Sequence, residues 1–209
     1  NADDSSANGY DGTLAGGNYE TGIIGKCITF DANSEYITIP DAARQTGEFS
    51  ITFFVRVNGA YPSSNYYGFY GGFSLTSSGT DGGIAISHFP GRGVYLDIYS
   101  ASTRYPIIVT NPPAADTWAM VYATYDGNDL DFGYMGQTNT YYGTGFDPRS
   151  IGSITIAWAQ AVIQRLGNAN RNGSYLSMPA SYDLFRIHNR ALSSSELSAL
   201  YISCNGLSY

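Results

Sequence analysis

Apolar and polar positions alternate with a period of two along most of this chain. Phe49, Ile51, Phe53, Val55 and Val57 share one parity, with Ser50, Thr52 and Arg56 on the other. Successive side chains of a strand point to opposite faces, so this run predicts a half-buried antiparallel strand. The same alternation recurs at Ile28 and Phe30, at Ile37 and Ile39, at Trp118, Met120 and Tyr122, at Ile154, Ile156 and Trp158, and at Phe185 and Ile187. Turn dipeptides separate the runs: Asp11-Gly12, Asn58-Gly59, Asp81-Gly82, Asp126-Gly127 and Asn172-Gly173. Many short strands at such spacing predict an all-β sandwich or barrel. One helix stands out near the C-terminus. Ser193 followed by Glu196 forms a capping box, Leu192 and Leu197 fit a hydrophobic staple, and Leu197, Leu200 and Tyr201 make an apolar stripe. The segment from Ala60 to Ser78 has no clear period. Its tyrosines and phenylalanines, crowded among Gly and Ser, predict a long aromatic loop with at most a short strand at its end. No repeat, linker or second domain is visible, so residues 1–209 are expected to form one domain.

Composition narrows the function. Charged residues make up 13% of the 209 residues, against about 25% in an average soluble protein. The net charge of -7 and the single lysine, Lys26, oppose nucleic-acid binding, which needs a basic face to release counterions. No apolar run is long enough to span a membrane. The high apolar content argues against disorder. Scarce charge with abundant Tyr, Gly, Ser and Asn fits a secreted or surface protein.

Candidate chemistry is sparse. Cys27 and Cys204 lie near opposite ends with no metal-finger spacing. The expectation is one end-to-end disulfide in an oxidising compartment, the alternative two buried free thiols. Sugar binding uses aromatic faces with nearby hydrogen-bonding side chains. Tyr66, Tyr67 and Tyr70, with Tyr141 and Tyr142, are candidate platforms, and Asn168, Asn170 and Arg171 candidate polar partners. The competing reading packs these tyrosines against each other or against a neighbouring subunit. Asp126, Asn128, Asp129 and Asp131, and separately Asp81, are oxygen-rich candidates for calcium, although they fail the EF-hand pattern. The competing reading is a hairpin turn whose side chains bond their own backbone. Asn172-Gly173-Ser174 is an N-glycosylation sequon. His88 and His188 are expected at the surface or rim. The four glutamates, Glu20, Glu35, Glu48 and Glu196, offer no closely spaced acid pair for glycoside hydrolysis, and no Gly-x-Ser-x-Gly elbow is present.

Several stretches, in order, resemble the laminin G-like domains of the concanavalin A-like lectin/glucanase superfamily. They are Asp4-Ser5-Ser6-Ala7-Asn8-Gly9-Tyr10-Asp11-Gly12-Thr13-Leu14, Gly25 to Asp31, Tyr36 to Pro40, and Phe49 to Val55 with Phe54 where Trp is usual. Asp116-Thr117-Trp118 through Asp126-Gly127 and Asp183-Leu184-Phe185-Arg186-Ile187-His188-Asn189-Arg190-Ala191-Leu192-Ser193 complete the series. The resemblance implies an antiparallel two-sheet jelly-roll sandwich with one short C-terminal helix, located outside the cell or at its surface. It implies a lectin-like binding or adhesion module that takes a glycan or an extracellular protein as ligand, and in some relatives a calcium ion at the rim; the missing acid pair makes the expected module non-catalytic. Tyr61 to Tyr105 matches nothing in the family pattern. The family strand ahead of Asp4 has no counterpart here. The expected consequence is a bare edge on the closing strand around Phe185 and Ile187, filled by a neighbouring molecule's strand or covered by Asn205 to Tyr209. Self-association into a filament or sheath is therefore the alternative function, and glycoside hydrolysis the weakest.

Overall fold

The computed structural model describes residues 3, 8–73, 82–100, 103–156, 163–171 and 174–205. Its strands are β1 Thr13–Ala15, β2 Asn18–Thr21, β3 Lys26–Phe30, β4 Tyr36–Ile39, β5 Phe49–Val57, β6 Tyr67–Phe73, β7 Gly83–Phe89 and β8 Gly93–Ser100. They continue as β9 Thr103–Val109, β10 Ala119–Tyr125, β11 Asp129–Tyr134, β12 Arg149–Ser150, β13 Gln164–Leu166, β14 Asn168–Arg171, β15 Ser174–Ser177 and β16 Ala180–His188. Helix α1, Ser194–Asn205, follows. One sheet runs β1-β4-β13-β6-β7-β8-β9, with β14 and β15 attached beside β6. The other runs β12-β11-β10-β5-β16-β3-β2. Pairing is antiparallel except for a single β15–β6 contact. This is the two-sheet antiparallel sandwich that the jelly-roll expectation requires.

The period-two runs explain the core. Phe49, Ile51, Phe53, Val55 and Val57 of β5 and Val121, Ala123 and Tyr125 of β10 face inward, against Ile84 and Ile86 of β7 and Val94, Leu96 and Ile98 of β8. Tyr70 of β6 meets Phe185 of β16 across the gap, with ring centroids 5.4 Å apart. On the opposite face of the second sheet, Phe54, Met120 and Tyr122 lie under Leu192, Leu197 and Cys204. Both faces of this sheet are therefore covered. Helix α1 starts as its sequence predicts. The Glu196 amide donates to the Ser193 hydroxyl at 3.3 Å, and the Ser193 amide donates to the Glu196 carboxylate at 2.9 Å. Arg190 holds the same carboxylate through both oxygens, at 3.0 and 2.6 Å. These bonds, led by Arg190, hold the Glu196 pKa down at about 2.

Four expectations need correction. The aromatic stretch after Ala60 is not all loop: Tyr67–Phe73 is a paired strand of the first sheet. A register shift between Gly68 and Tyr70 and the run Gly71-Gly72 erase its period. Gly71 has φ +110°, and a side chain there would strike the Ile84 carbonyl. Conversely, Ile154 and Ile156 are not in a strand. Gly152, at φ +72°, turns the chain. The Tyr125 hydroxyl then donates to the Gly152 carbonyl at 2.8 Å and accepts from the Ile154 amide at 2.9 Å. Trp158 lies outside the described residues. Third, the Cys27–Cys204 disulfide is not formed; both are free, buried thiols. The Cys27 thiol points to the Thr21 carbonyl at 3.5 Å, whereas Cys204, in the last turn of α1, packs in the cluster that contains Phe54. Each behaves as a small apolar side chain, and burial pushes the Cys27 pKa up, away from the reactive thiolate. Fourth, His88 is buried and stacked near Tyr61, with ring centroids 5.1 Å apart.

The closing strand β16 lies inside its sheet. It pairs with β5 along its length and with β3 through Ala180, Ser181 and Tyr182. Beyond that point, among the described residues, no strand covers the outer side of Phe185 to His188. The switch occurs at Asp183, where the register breaks and Leu184 takes φ +52°. The buried Asp183 carboxylate accepts the amides of Ile23 at 2.8 Å, Ile24 at 3.1 Å and Leu184 at 2.8 Å. It thereby ties the β2–β3 turn to the bulge. Gly22 leaves room for it, since a side chain there would meet the carboxylate.

Two outcomes are expected. Asp183→Ala orphans the amides of the β2–β3 turn and should lower the unfolding free energy by about 2–4 kcal/mol in urea titration. Burial depresses the His88 pKa to about 4 from 6.5, so the unfolded chain binds more protons than the folded one between those values. Stability is then fully present above pH 6.5 and declines toward pH 4, by about 3 kcal/mol from this residue alone. His88→Gln should flatten that part of the stability–pH curve, measured by denaturation at a series of pH values.

Candidate aromatic binding site

The β7–β8 hairpin turns through Pro90, Gly91 and Arg92, with the Arg92 amide donating to the Phe89 carbonyl at 3.1 Å. Gly91 supplies the left-handed conformation at φ +74°. Register then brings two distant segments to this tip. Tyr67 pairs with His88, which places Tyr66 beside Phe89. Tyr95 pairs with Ile108, and the Ile108 carbonyl accepts the Tyr142 amide at 3.1 Å. The Ile108 amide in turn donates to the Phe146 carbonyl at 2.9 Å, so the 140–146 loop is bonded along the edge of β9.

The side chains form one continuous patch. Tyr66 stands edge-on to Phe89 with centroids 4.3 Å apart, and Phe89 leans on Tyr95 at 5.6 Å. Tyr142 stands edge-on to Phe146 at 5.7 Å. The Arg92 guanidinium lies 5.2 Å from the centre of the Phe89 ring and 5.4 Å from that of Tyr142. These are cation–π distances, and they link the two aromatic groups. Tyr66 and Tyr142 remain 37% and 47% exposed, enough to offer a ring to a ligand. Under the patch, Arg104 forms a two-pronged ion pair with the buried Asp97, at 2.7 and 3.0 Å, and lies over Tyr95 at 5.7 Å. Burial pushes the Tyr95 pKa up, so its phenol stays neutral.

Of the residues picked from sequence, the structure brings Tyr66 and Tyr142 together through Arg92. Tyr67 is half-buried against the core, and Tyr70 is fully buried, so Tyr70 is no platform. Tyr141 is half-buried, and its hydroxyl donates to the Phe132 carbonyl at 3.2 Å. Asn168 is not on the surface either. It is buried in β14 and donates to the Ser177 hydroxyl at 3.2 Å. The backbones of Asn170 and Arg171 pair with Tyr175 and Ser174 in a hairpin. Asp81 and Asn172 lie outside the described residues.

The acidic turn bonds itself. The Asp126 carboxylate accepts the amides of Asn128 at 2.9 Å and Asp129 at 2.7 Å, which lowers its pKa. Asn128 donates to Asp129 at 2.7 Å, and the Ser150 hydroxyl also donates to Asp129. Asp131 faces the Tyr122 hydroxyl instead, at 3.4 Å, and burial raises its pKa. Among the described residues, no three His, Cys, Asp or Glu side chains gather in a form that could hold a metal ion.

Sequence reasoning missed Arg92, Phe89, Tyr95 and Phe146. The signal was Phe89-Pro90-Gly91-Arg92-Gly93, a turn between two alternating runs, and it marks a hairpin tip without showing what will lie beside it.

No curated protein sequence matches the chain. Among solved structures, it is similar to domain 4 of an extracellular arabinanase, AbnA of Geobacillus stearothermophilus, in complex with arabinotriose. That match has a TM-score of 0.67 and 17% identity, over 95% of this chain and 92% of the other. It is also similar to the Trypanosoma rangeli sialidase in complex with the inhibitor DANA, with a TM-score of 0.64 and 17% identity. There it covers 97% of this chain but only 31% of the sialidase. The receptor-binding domain of a mosaic C/D botulinum neurotoxin matches with a TM-score of 0.60 and 10% identity, over 94% of this chain and 47% of the other. At such identities these likenesses concern the fold. Residues 31–198 match the family model of laminin G-like domains, and the chain belongs to the concanavalin A-like lectin/glucanase superfamily.

Proposed function

We propose that this chain is a non-catalytic carbohydrate-binding module that acts outside the cell. The observation that carries the reading is the patch at the β7–β8 tip, where two exposed tyrosines flank an arginine. Aromatic faces accept the C–H surface of a sugar ring, and a guanidinium donates to its oxygens. The arabinanase domain bound to arabinotriose supports the reading, because it shows a similar fold in a sugar complex. The non-catalytic part rests on where the acids lie. Glu196 caps α1 and pairs with Arg190, Glu20 pairs with Arg56 at 3.2 Å, and Glu35 accepts the amides of Asp31 and Ala32 at 2.7 and 3.0 Å. Each is engaged in holding the structure, and none of these three lies in the aromatic patch. The absence of lysine from every position but Lys26 and the low overall charge fit an extracellular surface.

A second reading, self-association, is favoured by the uncovered outer side of Phe185 to His188 and the open groove beside it, between Tyr19, Lys26, Ile37 and Leu184. Under that reading the protein sediments as polymers and oligosaccharides do not bind.

The expected outcome is a monomer that binds oligosaccharides on a glycan array and releases no reducing sugar from polysaccharides. Tyr66→Ala and Tyr142→Ala should each weaken binding about tenfold in calorimetric titration, the loss of roughly 1.4 kcal/mol per aromatic contact. Their unfolding midpoints should stay near that of the parent, because exposed side chains contribute little to stability. Full binding by the double variant would defeat the assignment to this patch.

A further inference from the structure

We infer that Arg92 is a subsite for the carboxylate of an acidic sugar, such as a uronic acid unit, and so makes the hairpin-tip patch selective for anionic glycans. The inference rests on the carbohydrate-binding reading and names the class of ligand within it.

The chain has ten cationic residues against seventeen anionic ones. Among the described residues, Arg44, Arg56, Arg104 and Arg190 have carboxylate partners at 2.7, 3.2, 2.7 and 2.6 Å. Arg149 donates to the carbonyls of Pro106 and Asp147 at 2.8 and 3.0 Å. Arg92 is exposed and has no carboxylate partner among the described residues. The groups that face it are the rings of Phe89 and Tyr142 and the hydroxyls of Tyr95, Tyr142 and Tyr66. Burial pushes the Tyr95 pKa up, so its phenol does not cancel that charge. The neighbouring Arg104 is already balanced by Asp97. The patch therefore carries one uncompensated positive charge in a protein whose net charge is -7.

Geometry adds to charge. A guanidinium presents its N–H groups in the plane of its fork, and its flat faces pack on aromatic rings. The Arg92 guanidinium lies 5.2 and 5.4 Å from two ring centres, and the side chain remains exposed to a ligand. A carboxylate matches the edge of the fork with two parallel hydrogen bonds, whereas a neutral hydroxyl offers one. An acidic sugar whose ring lies against Tyr66 or Tyr142 would bring its carboxylate within reach of the fork. A neutral sugar would use the same rings without the paired bonds. At physiological salt, charges further than about 8 Å away are largely screened, so the distant acids of the chain do not oppose the local attraction.

The test compares two probes on the purified chain: tetragalacturonate and its carboxyl-reduced counterpart, α-1,4-galactotetraose, which differs in the charged group alone. Titration calorimetry at low and high sodium chloride should show tetragalacturonate binding at least tenfold more tightly at low salt, with the advantage shrinking as salt rises. Arg92→Met keeps the apolar stem and removes the charge. It should abolish that advantage, so that tetragalacturonate loses more affinity than galactotetraose and the two probes then bind about equally. Arg92→Lys keeps the charge but not the fork, and should retain only part of the preference. Unchanged thermal midpoints in both variants would show that the effect is local. Equal affinity for the two probes, or an equal loss for both in Arg92→Met, overturns the inference and leaves the carbohydrate-binding reading standing. If neither probe binds and no other glycan on an array does, both readings fall. Binding of neutral glycans alone overturns the anionic subsite only.

Discussion

Strand β5 is buried on both faces, and the rest of the fold is arranged around that fact. Eight of its nine residues, all but Arg56, are buried. Its odd-numbered side chains fill the gap between the sheets, while Phe54 points the other way, into the layer under α1. A strand in that position needs hydrogen-bonding partners on both sides and apolar cover above and below. β10 and β16 supply the partners. The Ser50 hydroxyl supplies part of the cover's attachment, since it donates to the Arg190 carbonyl at 3.0 Å and accepts the Leu192 amide at 2.7 Å just before the helix begins. The helix is therefore docked by the same strand that nucleates the core. It closes a face that would otherwise leave Phe54, Met120 and Tyr122 in water.

Scarce charge follows from this architecture. A sandwich with one sheet covered on both faces has fewer solvated positions to fill with Lys and Glu than an open one. The acids that remain are largely occupied by backbone amides or arginines. Asp183 gathers three amides at the bulge, Asp126 shapes a turn, and Asp97 is buried against Arg104. A carboxylate so engaged is a poor acid or base for chemistry on a substrate, since transfer of a proton to it breaks the bonds that hold a turn or a strand in place. Charges of this kind serve the fold. Those left at the surface, Arg92 among them, are the ones open to a ligand.

The parts that could be read from sequence are those in which local preference and tertiary context agree. The capping box at Ser193 and Glu196 is satisfied within four residues, so it predicted the start of α1 closely. The alternation of β5 survives because its pairing with β10 is unbroken, although β16 on its other side carries a bulge. The misread segments share a different cause. In β6 a bulge and two glycines break the period, and what makes it a strand is pairing with β7, the next strand, and with β13, which is distant in sequence. At Ile154 the apolar spacing is real, but a turn at Gly152 and the hydroxyl of Tyr125 hold the segment out of any ladder. Asn168 stood out in the sequence as a polar candidate for a ligand, yet it is buried in β14, which pairs with β15 beside β6. The candidate site was half legible. Aromatic clustering pointed to Tyr66 and Tyr142, whereas Arg92 gains its meaning only from a register that joins residues 66, 89 and 142.

That register also bears on how such a patch would bind. A tyrosine has two side-chain torsions to lose and offers a large rigid surface, so it binds at a small entropic cost. An arginine has many more torsions, and an isolated one on a loop would surrender much of its gain to ordering. Here the side chain of Arg92 is already packed between Phe89 and Tyr142, and the turn that carries it is closed by a backbone bond at 3.1 Å. The loop that carries Tyr142 is bonded to β9 at two points, through the Tyr142 amide and the Phe146 carbonyl. The ordering that a flexible site would undergo on binding has thus been completed during folding, at the expense of the hydrophobic core behind it. A patch arranged in this way can afford weak individual contacts with a sugar and still discriminate, because the positions of its rings and its single cation are fixed relative to one another before the ligand arrives.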